Sequence, residues 1–174
     1  MGIKIILATD EENNIGYKNE LLYYFKKDLF RFKDKTRGQT VIMGRNTWDS
    51  LPKKLPNRKN VVLTKNLTMR TKTYKEGEKK PDDFIGSIEN IIELGKTEDV
   101  WVIGGARLYN EMFQYADVVE HTLVHGIAKF YDTKVDNMDE VVAKHFRHVE
   151  VESITDMDIL TDIEHKIEFR TYTK

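Results

Sequence analysis

The chain has 174 residues, no cysteine, and 28 basic against 29 acidic residues, for a formal net charge of −1. That length suits one compact domain over 1–174, with a core and room for an enclosed pocket. The mixed charge provides no basic field for nucleic acid and no juxtamembrane cluster, and the missing cysteine removes disulfides and thiol catalysis.

Small molecules are therefore the expected partners, and a monomer the expected state. The apolar run from Ile3 to Ala8 is too short for a signal-peptide core and lies against Asp10-Glu11-Glu12. No stretch approaches the length of a membrane span, so a cytoplasmic location without a membrane partner is expected.

In chain order, strand-like and helix-like stretches alternate. Ile3–Thr9, Thr40–Met43, Asn60–Thr64 and Val100–Ile103 are short and rich in β-branched residues, as in strands buried on both faces. Residues 26–36, 45–50, 87–95 and 105–114 fit helices between them, with Ser87 as an N-cap. Residues 10–24 read as a long irregular loop, of the kind that is often functional. Residues 75–83, Lys-Glu-Gly-Glu-Lys-Lys-Pro-Asp-Asp, read as a solvated surface loop. After Ala116, three strand-like stretches (Asp117–Val124, Phe146–Glu152, Glu164–Tyr172) follow without long helices and are expected to add antiparallel strands to one edge. The fold class is α/β, with a mixed, mostly parallel central sheet flanked by helices.

Two places in this order carry chemistry. Val41-Ile42-Met43-Gly44-Arg45 and Val100-Trp101-Val102-Ile103-Gly104-Gly105-Ala106-Arg107 each bring an apolar strand to glycine, then to a basic residue opening a helix. Such a junction offers unpaired backbone N–H groups and a positive helix end, so two of them suit a ligand with more than one phosphate. A third feature is Asp28, which helical spacing puts on the face of Phe25 and Phe32. A first-turn acid favoured by the helix dipole is the plainer reading. A buried carboxylate, however, must be paired, protonated or met by a cationic ligand.

Asp28, Met43-Gly44-Arg45-x-Thr47-Trp48-x-Ser50-Leu51, Leu55-Pro56-x-Arg58-Lys59-Asn60 and Ile103-Gly104-Gly105-Ala106-Arg107-Leu108-Tyr109 stand in an order and at spacings that resemble the dihydrofolate reductase family. Asn13-Asn14-Ile15-Gly16, Thr122 and Asp132-Thr133 extend the resemblance over essentially the whole chain. It implies NADPH-dependent reduction of 7,8-dihydrofolate, with hydride passing to C6 and a proton to N5.

The resemblance also implies roles. Asp28, Tyr23 and Thr122 would be catalytic, with Asp28 accepting the adjacent N–H and amine of the pterin and supporting protonation of N5 by way of water. Ile6, Ala8, Leu21, Leu29, Phe32, Ser50, Leu51, Leu55 and Ile103 would line the substrate pocket, and Arg58 would clamp the α-carboxylate of the glutamate tail. Ala8, Ile15, Gly16, Gly44, Arg45, Asn46, Thr47, Leu63, Thr64, Lys65 and the run Ile103, Gly104, Gly105, Ala106, Arg107, Leu108, Tyr109 would hold the cofactor. Arg45 and Lys65 would meet the 2′-phosphate that separates NADPH from NADH, and in the family the Gly-Gly peptide is cis. Residues 10–24 would be a mobile loop closing over the nicotinamide.

Without the resemblance, most of these positions have simpler readings. Leu29, Phe32, Leu51 and Leu55 would be core, Thr122 a strand threonine, and Arg58 a surface arginine. The chain departs from the family in having Leu22-Tyr23 where Pro-Trp is common, Asn46 at a position often basic or polar, and Ala106 for a frequent third glycine. His121 and His125 lie four apart in a strand, which supplies no helical face for zinc, and no metal is expected. The chain is also too short for a two-halved Rossmann fold. A pyrimidine reductase of riboflavin synthesis, or a folate- or nucleotide-binding protein without turnover, are the alternative readings.

Overall fold

The computed structural model describes residues 1–174. In chain order its elements are β1 (Gly2–Thr9), a hairpin of β2 (Asn14–Tyr17) and β3 (Glu20–Leu21), α1 (Lys26–Thr36), β4 (Thr40–Gly44), α2 (Arg45–Ser50), β5 (Lys59–Leu63), α3 (Leu67–Thr71), β6 (Asp83–Ile85), α4 (Ile88–Gly95), β7 (Asp99–Val102), α5 (Ala106–Met112), β8 (Val118–Val124), β9 (Thr133–Lys134), α6 (Met138–His145), β10 (His148–Met157) and β11 (Glu164–Thr173). The main sheet has eight strands in the order β10-β11-β8-β1-β7-β4-β5-β6. From β8 to β6 all neighbours are parallel, whereas β11 and β10 run antiparallel at one edge.

Alternation along the central strands explains why both faces are covered. Ile3, Ile5 and Leu7 of β1 join Ile42, Val102, Leu108, Tyr109 and Met112 in the larger core, on the face of α4, α5 and α6. Ile6, Val41, Met43 and Trp101 point the other way, onto Trp48 of α2 and beside Phe32 of α1. The chain leaves β1 toward β4, β5 and β6 on one side, returns through β7, and then crosses to β8 on the other side. The carboxyl ends of β1, β4 and β7 therefore border the place where the direction of winding reverses, where open α/β sheets bind their ligands.

Four expectations need correction. Val118–Val124 is not antiparallel but runs parallel to β1, so the antiparallel edge consists of β10 and β11 alone. The region after Ala116 does contain a helix: α6 is capped by Asn137, with Asp139 and Glu140 in its first turn and Lys144 and His145 in its last. The helix expected to reach residue 114 stops at Met112 and tightens into a 3-10 turn over Phe113–Tyr115. Residues 75–83 are not wholly a free surface loop. Lys79 donates to the carbonyls of Trp48 (2.6 Å) and Leu51 (2.7 Å), and Asp82 accepts from the backbone of Asn60 (2.7 Å).

Residues 10–24 are likewise more ordered than an irregular loop. Lys18 and Asn19 both take positive φ (49° and 63°), as a two-residue turn between β2 and β3 requires. At the loop's start Asp10 is fully buried. Its carboxylate accepts from the backbone N–H groups of Glu12 (2.9 Å), Asn14 (3.0 Å) and Ala128 (2.9 Å) and from the Asn14 side chain (2.8 Å). In Asp10→Asn an amide nitrogen would oppose one pair of these donors. Urea unfolding is expected to show a loss of about 2 kcal/mol, and an unchanged midpoint would show that the turn does not depend on the charge.

Candidate active site

The first-turn residue Asp28 reaches β8, where the Thr122 hydroxyl donates to its Oδ1 at 2.6 Å. Asp28 is thus a first-turn acid that also faces the sheet. Burial raises its pKa above the usual carboxylate range; the Thr122 hydrogen bond and Arg31 oppose this, and Asp156 adds to it. A carboxyl in this setting holds a proton at higher pH than an exposed one, yet still presents lone pairs for an adjacent N–H and amine.

Thr122 pairs in register with Ala8, so the acid lies beside the carboxyl end of β1. From there a short series of contacts leads to both glycine junctions. The buried Tyr109 of α5 donates its hydroxyl to the Ile6 carbonyl at 2.8 Å, and burial together with the Asp28 charge raises its pKa. A Cβ added to Gly104 would lie 3.4 Å from both the Tyr109 hydroxyl and Thr47 Oγ1. The backbone N–H of Gly44 donates to the Gly104 carbonyl at 2.8 Å, which joins the two junctions directly. Gly104 has φ +126°, a region other residues rarely adopt, and the Gly104–Gly105 peptide is cis. The helices that begin here, α2 and α5, have no side-chain cap, as is also true of α1, whereas Asn66, Ser87 and Asn137 cap α3, α4 and α6. Their first-turn N–H groups thus have no side-chain acceptor, and a phosphate could take that place.

The apolar positions divide by burial. Ile6 is in the smaller core with Trp48, and Phe32, Leu51, Leu55 and Ile103 pack against it, forming one wall beside the acid. Leu21 and Leu29 are 49% and 37% exposed, so without a ligand they face solvent. Arg58 is oriented by its own chain: Nε donates to the Pro56 carbonyl (2.9 Å), Nη1 to Thr36 Oγ1 (3.2 Å), and the guanidinium sits 5.7 Å above the Phe32 ring. Ser50 donates to the Thr47 carbonyl at 2.6 Å.

Among the expected cofactor residues, Arg45, Asn46, Lys65 and Arg107 are exposed, and Thr47, in the first turn of α2, and Thr64, just after β5, are half-buried. Leu108 and Tyr109 are core side chains, and Ile15, Leu63 and Ala106 pack against that core, so only their backbone groups or edges are available to a ligand. Gly16 is fixed by β2: a Cβ there would come within 3.1 Å of the Glu20 carbonyl. A cleft of about 380 Å³ between α2, α3 and residues 72–79 shares only Arg45 with this set.

Tyr23 is held through its ring, stacked on Phe25 (5.5 Å between centroids) and edge-on to His165 (5.0 Å). The loop that carries Gly16 is docked, with the backbone N–H of Asp132 donating to the Gly16 carbonyl (3.0 Å) and that of Lys18 to the Asp132 carboxylate (2.9 Å). Sequence reasoning missed the buried charges around the site. Glu120 meets Arg31 and Lys35, and Asp158 accepts from the Tyr24 backbone. Strand alternation from Thr122 and helical spacing from Asp28 were the available signals for the Glu120–Arg31 pair. His121 is buried with its Nε2 2.8 Å from Thr9 Oγ1, and burial lowers its pKa to about 3, so it stays neutral.

A family model described as Dihydrofolate reductase matches residues 2–174. The chain belongs to the dihydrofolate reductase family. It is 36% identical over 124 residues to a dihydrofolate reductase of Bacillus subtilis (strain 168), covering 71% of this chain and 69% of that one. It is 41% identical over 121 residues to one of Buchnera aphidicola, covering 67% and 68% respectively. Among solved structures, a dihydrofolate reductase from Enterococcus faecalis complexed with NADP(H) and RAB-propyl shares the fold with a TM-score of 0.78. It is 24% identical and is matched over 95% of its chain and 99% of this one. No helix is long and apolar enough to cross a membrane.

Proposed function

We propose that this chain reduces 7,8-dihydrofolate to 5,6,7,8-tetrahydrofolate with NADPH, acting as a single-domain cytoplasmic monomer. The observation that carries the reading is the Asp28–Thr122 hydrogen bond of 2.6 Å, set beside a glycine cradle with two uncapped helix ends. The cradle suits the cofactor because Gly104, at φ +126°, lets its carbonyl meet the Gly44 N–H and join the two junctions, and because Arg45 and Lys65 are exposed with charge for a 2′-phosphate. When bound, NADPH supplies hydride from the nicotinamide C4 to C6 of the pterin.

The other steps belong to the chain. Asp28 accepts the paired N–H and amine of the pterin, and Thr122 holds the carboxylate in the orientation that receives them. Because burial raises its pKa, Asp28 supports delivery of a proton to N5 by way of water as C6 is reduced. Phe32, Leu51 and Leu55 exclude water from the ring and the aminobenzoyl group. Residues 10–24 cover the reacting edge. Loss of NADPH absorbance in the presence of dihydrofolate tests the activity: turnover is expected, and binding of both ligands without turnover would overturn the enzyme reading.

Arg58 supplies a second measurement. Arg58→Leu is expected to raise KM for dihydrofolate about 10²-fold, the worth of a two-pronged charged pair, with a much smaller change in kcat. A pterin lacking the glutamate tail should show no such rise. An equal rise with both substrates would overturn the clamp.

A further inference from the structure

Three residues of α1 face β8 along one stripe. Asp28, Arg31 and Lys35 are spaced at i, i+3 and i+7, and on the strand Glu120 and Thr122 share a face. Thr122 donates to Asp28, forming one rung between helix and strand. Arg31 Nη2 lies 2.5 Å from Glu120 Oε2, and Lys35 Nζ lies 3.1 Å from Glu120 Oε1, forming the next. Glu120 is only 6% exposed and also accepts the Thr171 hydroxyl at 2.7 Å. The Arg31 guanidinium lies 4.7 Å over the Phe169 ring, so it too is held from more than one side.

We propose that Arg31 and Glu120 are positioning residues for Asp28: their ion cluster fixes the helix turn that carries the acid and sets the pH at which the acid ionises. This rests on the reading of Asp28 as the acid of the reductase. Stability alone is a weak reason for such a cluster, because replacing a buried ion pair by apolar residues of similar volume is often neutral or stabilising. The charges do not cancel: two cations, one and two helical turns from Asp28, meet one carboxylate and leave a net positive charge along that face.

The groups facing Asp28 make the direction of the effect definite. Arg31 on its own helix and the Thr122 hydroxyl on β8 favour the ionised form. Asp156 on β10 opposes it, while its own carboxylate accepts the Lys27 backbone N–H at 3.1 Å. The Tyr109 phenol from α5 is neutral and feels the Asp28 charge. Arg31 is the one cation that acts on Asp28 directly, and Glu120 partly neutralises that cation. Removing Arg31 should therefore raise the pH at which Asp28 ionises, and removing the charge of Glu120 should lower it.

Opposite shifts from two partners of one ion pair distinguish tuning from simple loss of structure. The variants are Arg31→Met, which keeps the stem over Phe169, Glu120→Gln, the two combined, and Arg31→Lys. The carboxyl ¹³C resonance of Asp28 is titrated in each, and the pH profile of turnover with dihydrofolate is recorded in parallel. The midpoint is expected to rise by about half a pH unit in Arg31→Met and to fall by about as much in Glu120→Gln. It should return close to its starting value in the double variant and stay there in Arg31→Lys. Shifts of both single variants in the same direction, or midpoints unmoved in both, would overturn the proposal.

Lys35→Met keeps the Arg31–Glu120 pair and should raise the midpoint by a smaller amount. It takes the place of Arg31→Met if that variant does not fold, with no shift counting against the proposal. The ¹³C titration needs no turnover. An unmodified enzyme that fails to consume NADPH would thus reject the reductase reading, while the titration still judges the tuning of Asp28.

Discussion

Asp28→Asn is expected to lower kcat about 10²–10⁴-fold while leaving NADPH affinity unchanged, as measured by steady-state turnover and fluorescence titration. The reason is the setting of one carboxyl. Asp28 is drawn out of water by α1 and β8, and its pKa is raised chiefly by burial. Turnover by the unmodified chain should accordingly decline as pH rises through that raised value, since the proton is then lost from the acid. The asparagine variant has no proton to lose there and should show no such decline. It should also fold normally, because an amide oxygen can still accept the Thr122 hydroxyl and no charge remains to be buried. Unimpaired turnover at low pH and at pH 7 alike would show that Asp28 is not the acid.

Gly104→Ala should have the other large effect, and on a different quantity. The residue sits at φ +126°, and its missing Cβ leaves 3.4 Å to the hydroxyl oxygens of Thr47 and Tyr109. An alanine Cβ there makes only ordinary contacts, so the cost is backbone strain, about 1–3 kcal/mol, and it falls on the segment joining the two junctions. NADPH affinity should drop about 5–150-fold. Asp28 is unaltered in this variant, so turnover at saturating NADPH should retain the pH dependence of the parent. Gly77→Ala is a control, because it lies in open space with φ +77° and is far from the cradle in sequence. Its cost should appear in stability and not in cofactor affinity. Equal cofactor losses in the two variants would remove the special role of Gly104.

The central strands were legible because their β-branched runs are buried on both faces and owe little to distant partners. The Ser87 cap was legible too, since a serine hydroxyl and the N–H of Asn90 meet within one turn. The signals for α6 were equally local, with Asn137 before it and acids then bases along it, yet the strand-like stretches on either side drew the eye from this short helix. Val118–Val124 looked like the later antiparallel strands because periodicity carries no direction; only the crossover through α5 makes it parallel to β1. The Asp28–Thr122 pair followed from family resemblance, and no local rule would have joined residues 94 apart. Buried charges were the least visible, because Glu120 and Asp10 look like ordinary surface acids until Arg31 and Ala128 arrive from 89 and 118 residues away.

The segment of residues 10–24 is attached at both ends. At its start the Asp10 carboxylate binds Ala128, and at its far end the Asp158 carboxylate accepts the Tyr24 N–H while Ile159 donates to the Tyr24 carbonyl. Between these moorings the Asn13 carbonyl and side chain accept from Val135 and Met138, Ile15 packs against the core, Tyr17 stacks on Phe130, and β2 pairs with β9 beside Asp132. Held at both ends and along its middle, it cannot swing aside like a door on one hinge. On the proposed reading of these residues as the cover of the nicotinamide, loosening either mooring should quicken ligand exchange before it alters the chemistry.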